Sequence, residues 1–485
     1  MVYAGLDVGT TGVKITVFSG ATEIGKFYEK YDSKRDAEHD EIDASLIWNA
    51  SLRVIKEART ANPGLSAIGV TSFGETFVLL DKDDRILLPS ILYNDIRGKE
   101  ETRLIASKIS EERLGEITGL MNHEMFSLSK LLYVKSHYPE IMKQVDKVLL
   151  IEDFIVYMLT GERKIDYSLA SRTSLFDVEK KKWSDELFSL FGLRKSLFSD
   201  PVPSGSLAGA IKEELDIGNG IQIIPVSHDQ VSVALGCGLS KEGEAVDGCG
   251  TCECIIPFVK RKANISVFYR NGFGLVPYAP YEAYLSYPLI FSGGALVEWF
   301  MNAFGEGKEN PYAYFEERIA VDKPTSLLLA PHFLGSGTPF MNSKGRGFIY
   351  GLDVSTDVFD LYKAVLEGVA YEMRLNLEVL REAGVEVKKL LACGGGAKNE
   401  KWLQIKADVL GLPITKMENS DSGTVGSAIV VGKTIGEFAS LDEGVRKLVK
   451  QGKTFYPREE IHKAYSKNYE RYKRLAMRID EEEKQ

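Results

Sequence analysis

Short apolar runs and polar turns alternate along the first part of the chain. The runs before Asp7 and after Gly12, with a third over Thr22–Tyr28, predict a three-stranded meander. Apolar residues then recur at helical spacing over Ala44–Ala61, and the short apolar run Ala67–Thr71 predicts the next strand. This order of elements predicts a mixed sheet with helices on its faces.

The middle of the chain has a less regular pattern. Helices are predicted at Glu100–Leu114, Leu128–Tyr138, Lys143–Leu159 and Asp185–Phe191. The short apolar run Ile221–Ser227 follows Gly220 and precedes polar residues, so it predicts a buried strand. A helix is predicted to begin at the apolar stretch Val231–Leu235.

The second half begins with the same pattern as the first. Glu244–Phe258 again reads as strand, Gly-Thr turn and strand. The later elements are predicted as helix Phe359–Ala383, strand Lys389–Cys393, helix Lys401–Leu410, strand Leu412–Lys416, helix Gly423–Thr434 and a charged, solvated helix from Glu459 onward. Two similar openings suggest a duplicated ancestor with a boundary near Ser240–Gly243, giving domains 1–241 and 242–485.

Composition narrows the class of protein. At 485 residues and 44% hydrophobic content the chain is expected to form two globular domains. A net charge of −9 argues against nucleic-acid binding, because no basic excess replaces phosphate counterions. No long apolar segment or signal-like segment occurs, so we expect a cytoplasmic protein without a membrane partner.

The five cysteines fit a reducing compartment better than a disulfide framework. Cys249, Cys252 and Cys254 cluster, but they lack the paired spacing that structural zinc sites use. Small thiols packed in a sheet are therefore favoured over a metal site.

Three turns rich in small residues follow predicted strands, namely Asp7–Gly12, Gly248–Thr251 and Gly394–Asn399. Each alone is explained by an ordinary turn, and the first by a hairpin. Glycines also let backbone N–H groups approach an anion, and Thr10, Thr11 and Lys14 would add donors. Together the turns favour a nucleotide held in a cleft. Its Mg²⁺ would need one or two carboxylates, and Asp7 is the natural candidate.

Several acids follow predicted strands and could contact an acceptor alcohol. Asp229 comes directly after a buried strand and could accept a proton from an attacking hydroxyl. It could equally cap the helix that follows. Glu75, Asn94 and Asp95 could hold the hydroxyls of a polyol, or could serve turn chemistry.

Several motifs resemble those of the FGGY family of carbohydrate kinases. The resemblance runs nearly end to end and rests on Gly5–Lys14, Ile91–Arg97 with Tyr93 in place of a tryptophan, Asp153–Asp166, Gly248–Thr251, Gly394–Asn399, and above all Gly347–Leu352 with Asp360–Glu367. A second signature, Phe126–Tyr133, departs from the family by having Tyr133 where tryptophan is usual.

The resemblance implies an α/β fold of two duplicated ribonuclease-H-like domains, as in actin-like ATPases, with ATP and Mg²⁺ in the cleft between them. It implies Asp229 as the catalytic base and Asp7 as the metal-linked acid. The phosphates would be held by Thr10, Thr11, Lys14, Gly250 and Thr251, and the adenosine by Gly395, Gly396 and Asn399. The acceptor would be held by Glu75, Thr76, Tyr93, Asn94 and Asp95.

The acceptor is the least determined part of this interpretation. Xylulose kinases carry Met-His where this chain has Gly74-Glu75, and glycerol kinases carry Arg-Glu-Thr where it has Gly74-Glu75-Thr76. A ketopentose such as xylulose is favoured, with rhamnulose, gluconate, erythritol and glycerol as alternatives. An actin-like or chaperone-like ATPase and a catalytically silent sugar-binding member are the rival functions. A homodimer is left open.

Overall fold

The computed structural model describes residues 1–35, 39–260, 264–419 and 421–483. The strands are β1 Val2–Val8, β2 Gly12–Ser19, β3 Thr22–Lys30, β4 Lys34–Arg35, β5 Asp40–Ile42, β6 Leu65–Ser72, β7 Phe77–Leu80, β8 Ser90–Ile91, β9 Lys147–Leu150, β10 Lys164–Asp166, β11 Phe176–Asp177, β12 Lys182–Trp183, β13 Asp200–Val202, β14 Gly209–Ala210, β15 Gln222–His228, β16 Glu244–Cys249, β17 Glu253–Val259, β18 Leu275–Tyr278, β19 Ala283–Ser286, β20 Leu289–Ile290, β21 Leu328–Leu329, β22 Ile349–Tyr350, β23 Lys389–Cys393, β24 Ile414–Met417 and β25 Gln451–Phe455.

The helices are α1 Ala44–Ala61, α2 Lys99–Lys108, α3 Glu111–Thr118, α4 Ser127–His137, α5 Pro139–Gln144, α6 Ile151–Thr160, α7 Tyr167–Ser171, α8 Asp185–Phe191, α9 Asp229–Gly236, α10 Ile265–Arg270, α11 Gly294–Phe304, α12 Pro311–Arg318, α13 Val358–Glu382, α14 Glu400–Leu410, α15 Ser422–Thr434, α16 Leu441–Leu448 and α17 Glu459–Glu483.

The chain forms two compact units. Unit 1 consists of Met1–Ser240, Leu275–Tyr284 and Asn419–Val449, and unit 2 of Lys241–Gly274, Leu285–Glu418 and Lys450–Gln485. The predicted domain boundary at 241/242 lies next to the first of these transitions. The predicted second domain, 242–485, also contains Leu275–Tyr284 and Asn419–Val449, which belong to unit 1 in the structure. No change in composition marks these two segments in the sequence.

The main sheet of unit 1 has the strand order β14-β15-β6-β1-β2-β3. Strands β1, β2 and β3 form the predicted antiparallel meander. Strand β6 pairs in parallel with both β1 and β15, so the carboxyl ends of these three strands lie at the same edge of the sheet. That edge carries the candidate catalytic groups.

Unit 2 repeats this arrangement. Its sheet contains the order β17-β16-β23-β24-β25. The hairpin β16–β17 is antiparallel, β16 is parallel to β23, β23 is parallel to β24, and β25 is antiparallel to β24. The same sequence of pairings occurs from β2 to β14 in unit 1, so the duplication predicted from the two hairpins is present in the sheets themselves.

Helix α15 packs closely on β1 and on α9 within unit 1, although it is distant from both in sequence. A Cβ atom on Gly5 would lie 2.2 Å from the Thr424 carbonyl oxygen, so only glycine allows the helix to approach the strand. Between the helices, a Cβ atom on Gly426 would lie 1.9 Å from the Ser232 carbonyl oxygen. Small residues thus set the distance between α15, α9 and the sheet.

Two of the predicted helices are wrong in detail. The stretch predicted as one helix over Glu100–Leu114 is two helices, because Ser110 interrupts it and caps α3 by accepting a hydrogen bond from the Arg113 N–H at 3.1 Å. The stretch predicted as helix Lys143–Leu159 contains the buried strand β9, which pairs antiparallel with β7. Long-range pairing there outweighs the local helical pattern.

The C-terminal helix α17 forms as predicted, but it is not a solvated helix. Tyr465, Tyr469 and Tyr472 are buried along one face of it. The Tyr465 hydroxyl donates to Glu367 Oε1 at 2.9 Å, and the Tyr472 hydroxyl donates to Glu372, so α17 is tied to α13 of unit 2 by hydrogen bonds as well as by ring packing.

The close packing of α15 predicts the effect of adding one methyl group. We expect Gly426→Ala to destabilise the protein by about 1–3 kcal/mol, because the new Cβ atom collides with the backbone of α9. Urea unfolding followed by circular dichroism measures the change. Gly395→Ala is the control, since Gly395 has helical dihedral angles (φ −63, ψ −43) and no atom lies within 4 Å of its Cβ position. Equal midpoints for Gly426→Ala and the wild type would contradict the packing argument.

Candidate active site

The first candidate loop joins β1 to β2 in unit 1. The Gly9 N–H donates to the Gly12 carbonyl at 2.9 Å, within the turn. The hydroxyl of Tyr31, the residue that follows β3, donates to the Gly9 carbonyl, so a second hydrogen bond fixes the turn. Thr10 and Thr11 lie on this turn, where Thr10 is half-buried and Thr11 is exposed. A hairpin and an anion-holding loop are therefore compatible at this position.

Asp7 and Lys14 are direct cross-strand partners, so their side chains leave the sheet on the same face. Lys14 Nζ lies 3.1 Å from Asp421 Oδ2, an acid at the start of α15. Burial, followed by the charge of Asp421, raises the pKa of Asp7 to about 7, although Lys14 opposes this shift. Asp7 Oδ1 is buried and accepts no hydrogen bond from any residue that the structure describes.

Asp229 is the first residue of α9, at the carboxyl end of β15. The capping position belongs to His228, whose side chain makes no capping hydrogen bond, so the interpretation of Asp229 as an N-cap is wrong. Asp229 Oδ1 accepts from the Gln230 N–H at 2.5 Å and lies 3.3 Å from His228 Nδ1. Its side chain is 26% exposed. The carboxylate is thus available to a ligand at the sheet edge.

The charges around Asp229 come from the neighbouring strand ends. Burial, and next the charge of Asp7, raise the pKa of Asp229 to about 8; Glu75 also raises it and Arg172 lowers it. Burial, then the charge of Arg172, hold the pKa of His228 well below its usual range, so the imidazole is neutral. The pKa of the Asp229 carboxyl group therefore lies near neutral pH, and other ionisable side chains surround it.

Glu75 follows β6 and adopts a left-handed backbone conformation with φ of 63°. It is buried and forms an ion pair with Arg172, whose Nε donates to Glu75 Oε1 at 2.5 Å. A Cβ atom on Gly74 would lie 2.7 Å from His228 Cδ2 and 3.1 Å from Arg172 Cγ. Arg172 thus occupies the space beside position 74, where a larger residue would otherwise project.

Arg172 was missed by the sequence analysis. It lies just after α7 and is 97 positions from its partner Glu75, so no local pattern connects the two. Thr76 follows Glu75 directly, and its buried hydroxyl has no hydrogen-bond partner among the described residues.

Of the predicted acceptor residues Tyr93, Asn94 and Asp95, the last two form hydrogen bonds within the protein. Asp95 accepts hydrogen bonds from Arg97 Nε at 2.9 Å and from the Asp40 N–H at 2.7 Å, and Asn94 Nδ2 donates to Asp40 at 2.6 Å. Burial of Asp95 is outweighed by these hydrogen bonds, which keep its pKa below the usual value. The polar groups of Asn94 and Asp95 therefore stabilise the conformation of this loop, at least through these hydrogen bonds.

A buried lysine connects this loop to the segment that precedes α4. Lys130 Nζ donates to the Asp95 carbonyl at 2.8 Å and to the Glu124 carbonyl at 2.9 Å. Burial lowers the pKa of Lys130 to about 8, while the charges of Asp95, Glu124 and, more weakly, Glu75 oppose that shift. The ammonium group thus ties the loop after β8 to the segment that precedes α4.

In unit 2 the second candidate loop lies between β16 and β17. The Gly250 and Thr251 carbonyls accept hydrogen bonds from the N–H groups of Gly294 and Ala295 at 2.9 and 3.0 Å. The first turn of α11 therefore fixes the conformation of this loop. Thr251 is exposed beside it.

The third candidate loop follows β23 in unit 2. Gly395 is open on its Cβ side, whereas a Cβ atom on Gly396 would lie 2.8 Å from the Trp402 ring. Asn399 caps α14 by accepting from the Trp402 N–H at 2.8 Å. Asn399 therefore has a structural role, and Gly395 is the position with room for a ligand.

The ammonium group of Lys406 is buried beside one of the clustered cysteines, Cys249. Ligand atoms of Asp247, Cys249 and Glu253 lie within 4.8 Å of one another, which would suit a metal ion. Lys406 Nζ donates to Asp247 Oδ2 at 2.9 Å and to Cys249 Sγ at 3.2 Å, and also contacts Glu253. An ammonium group thus fills this position, and Cys249, like the other four cysteines, is a free thiol.

The residues of both units match models of one protein family. The N-terminal domain of the FGGY family of carbohydrate kinases matches residues 2–236, and the C-terminal domain of that family matches residues 273–434. The chain belongs to the FGGY family of carbohydrate kinases. It is therefore a sugar kinase, and kinases of this family use ATP as the phosphoryl donor.

Similar proteins cover nearly the whole chain. Xylulose kinase of Bacillus subtilis is 26% identical over 97% of this chain and 96% of its own length. Glycerol kinase of Thermococcus onnurineus is 29% identical over 93% of this chain and 92% of its own length. The crystal structure of a xyloylose kinase from Brucella ovis superposes with a TM-score of 0.91 at 27% identity, covering 98% of each chain.

These likenesses confirm the predicted two-domain, actin-like ATPase fold. Among the described residues, no helix combines the length and apolarity that a membrane span requires.

The Lys406 cluster predicts a large loss of stability when the cation is removed. We expect Lys406→Met to destabilise the protein by about 3–5 kcal/mol, because it leaves buried carboxylates without their partner. Thermal and urea unfolding measure this change. Lys463→Met, which removes an exposed ammonium from α17, is the control and should leave the unfolding midpoints essentially unchanged.

A further comparison separates charge from packing. Adding Asp247→Asn and Glu253→Gln to Lys406→Met should recover part of the lost stability, because the unpaired charges are then removed. No recovery would mean that the lysine stem, and not its charge, holds the hairpin.

Proposed function

We propose that the protein transfers the γ-phosphoryl group of ATP to a primary hydroxyl of a neutral sugar, with Asp229 as the general base and a ketopentose such as xylulose as the preferred acceptor. The observation that carries this proposal is the position of Asp229 at the carboxyl end of β15, beside Asp7 and the Glu75–Arg172 pair. Relatives named xylulose kinase that cover 97% and 98% of the chain support the choice of acceptor.

The environment of Asp229 suits proton transfer. A general base works best when its pKa lies near the working pH, and burial with neighbouring acids raises the pKa of Asp229 to about 8. The ionised carboxylate would orient the acceptor hydroxyl and take its proton as the oxygen attacks phosphorus. Glu75 and Thr76 are proposed to hold the acceptor beside it, and Tyr93, Asn94 and Asp95 to line it further out.

The charge balance of the site favours an uncharged acceptor. The charge of Arg172 acts on Asp229, but it is already compensated by the ion pair with Glu75. Asp7 and Asp229 lie at the same edge of the sheet, and each adds a negative charge when it is ionised. A carboxylate-bearing acceptor such as gluconate would meet repulsion here, whereas a neutral ketose or polyol would not.

The three candidate loops are proposed to bind the nucleotide. In unit 1, Thr10, Thr11 and Lys14 would donate hydrogen bonds to phosphate oxygens. In unit 2, Gly250 and Thr251 would contact the γ-phosphate, and the open face at Gly395, with Gly396 and Asn399, would receive the adenosine. Mg²⁺ would neutralise phosphate charge, and the unpartnered, buried Asp7 Oδ1 makes Asp7 a fitting ligand for it.

The acceptor panel tests this function directly. ADP release with Mg-ATP is followed in a coupled assay against xylulose, ribulose, rhamnulose, fructose, glycerol, erythritol and gluconate. We expect a neutral acceptor, xylulose first, to raise turnover far above the sugar-free rate, and Asp229→Asn to lower that turnover by about 10²–10⁴-fold.

Other results would revise specific parts of the proposal. Full sugar-dependent activity in Asp229→Asn would remove Asp229 as the base. Preference for gluconate would contradict the charge argument. Substantial ATP hydrolysis that no acceptor changes would favour the actin-like ATPase function instead.

The charges around Asp229 also predict opposite shifts in pH dependence. Asp229 must lose its proton to act, so kcat/KM should rise with pH through the pKa of this carboxyl group and then level off. Glu75→Gln removes a negative charge that raises the pKa, so the rising limb should move to lower pH. Arg172→Met removes a positive charge that lowers the pKa, so the limb should move to higher pH.

The matched control for this experiment is Glu186→Gln. It breaks an exposed ion pair with Arg113, and its pH profile should coincide with that of the wild type. Shifts in the same direction for Glu75→Gln and Arg172→Met would show that another group is responsible for the limb.

A further inference from the structure

Two acids from distant parts of the chain converge beside the first loop of unit 1. Asp7 is near the end of β1, and Asp421 directly precedes α15. Lys14, the cross-strand partner of Asp7, contacts Asp421 Oδ2 at 3.1 Å. The three groups all belong to unit 1, so their arrangement is a property of that unit alone.

Gly423 provides the room in which these acids meet. A Cβ atom at this position would lie 2.9 Å from Asp7 Oδ2 and 3.5 Å from Asp421 Oδ1. Any larger residue at the first turn of α15 would therefore intrude on the carboxylate of Asp7. The second oxygen of that carboxylate, Oδ1, is buried and has no hydrogen-bond partner in the described part of the chain.

Asp421 uses its two oxygens differently. Oδ1 accepts from the Thr424 N–H at 3.3 Å and so caps α15, while Oδ2 faces Lys14. Its side chain is 16% exposed, so the carboxylate is not fully enclosed by the protein. Capping alone would need no charge, because asparagine caps helices about as well as aspartate.

We propose that Asp421 supplies, together with Asp7, a second carboxylate for the Mg²⁺ that accompanies ATP. This inference rests on the proposed function and extends it, because the sequence analysis assigned the metal to Asp7 alone. Mg²⁺ in phosphoryl-transfer sites is commonly bound by one or two carboxylates, with waters and phosphate oxygens completing its shell. In the structure Lys14 supplies the positive charge beside Asp421.

The proposal predicts opposite effects on metal binding for substitutions of Lys14 and of Asp421. The Lys14 ammonium group competes with a metal ion for Asp421 Oδ2 when no nucleotide is bound. Removing the ammonium should therefore strengthen metal binding to the nucleotide-free protein, whereas removing the charge of Asp421 should weaken it. A purely capping role for Asp421 predicts neither effect.

The test is direct binding of Mn²⁺, a spectroscopic substitute for Mg²⁺, to the full chain. Free Mn²⁺ is measured by electron paramagnetic resonance during titration, without nucleotide and with saturating ADP. The variants are Asp421→Asn, which keeps the helix cap, Asp7→Asn and Lys14→Met. Asp43→Asn is the matched control, because Asp43 caps α1 by accepting from the Ser45 N–H at 2.8 Å.

We expect Asp421→Asn to weaken Mn²⁺ binding about 10-fold or more in the ADP complex, and Asp7→Asn to weaken it at least as much. Lys14→Met should tighten binding in the nucleotide-free protein, and Asp43→Asn should match the wild type. Circular dichroism of each variant checks that the fold is retained.

Two results would overturn the proposal. If Asp421→Asn binds Mn²⁺ as the wild type does while Asp7→Asn does not, Asp421 is only a cap. If the wild type binds no Mn²⁺ even with ADP, these acids form no metal site. Neither result bears on the acceptor panel with Asp229→Asn, so failure of this inference is distinguishable from failure of the proposed function.

Discussion

Parallel pairing of β1, β6 and β15 is the constraint on which the candidate site depends. Because all three strands point the same way, Asp7, the turn that carries Glu75, and Asp229 emerge at one edge. Each residue comes from a different part of the sequence, and the sheet alone brings them together. The close approach of α15 then adds Asp421 to the same edge.

This gathering of acids has an energetic cost that ion pairing offsets only in part. Lys14 forms an ion pair with Asp421, and Arg172 forms an ion pair with Glu75. Neither of these two ion pairs includes Asp7 or Asp229. The pKa values of Asp7 and Asp229 are raised to about 7 and about 8, mainly by burial. Since the folded state then holds protons more tightly than the unfolded chain, these two groups reduce stability as pH rises from about 4 towards 8. A cation or a ligand donor placed at this edge would relieve the strain.

Elements whose conformation depends on neighbouring residues were predicted correctly from the sequence. Helix α1, the two Gly-Thr hairpins and the position of Asp229 after a buried strand were all predicted from periodicity and turn residues. Strand β9 was not, because its pairing with β7 depends on residues far away in the chain. Arg172, Asp421 and Lys406 were missed for the same reason, since each acts through a partner more than ninety positions distant and no short motif encodes such a contact.

The discontinuity of the two units has a consequence for the order of folding. Unit 1 contains β1 and β6 from early in the chain, yet α15, which packs against them, lies within Asn419–Val449. During synthesis the first sheet must therefore wait, with one face uncovered, until most of unit 2 has been made. Unit 2 in turn lacks the tyrosines that pair with Glu367 and Glu372 until α17 emerges. A partly synthesised chain thus exposes the apolar surfaces of two unfinished cores at once.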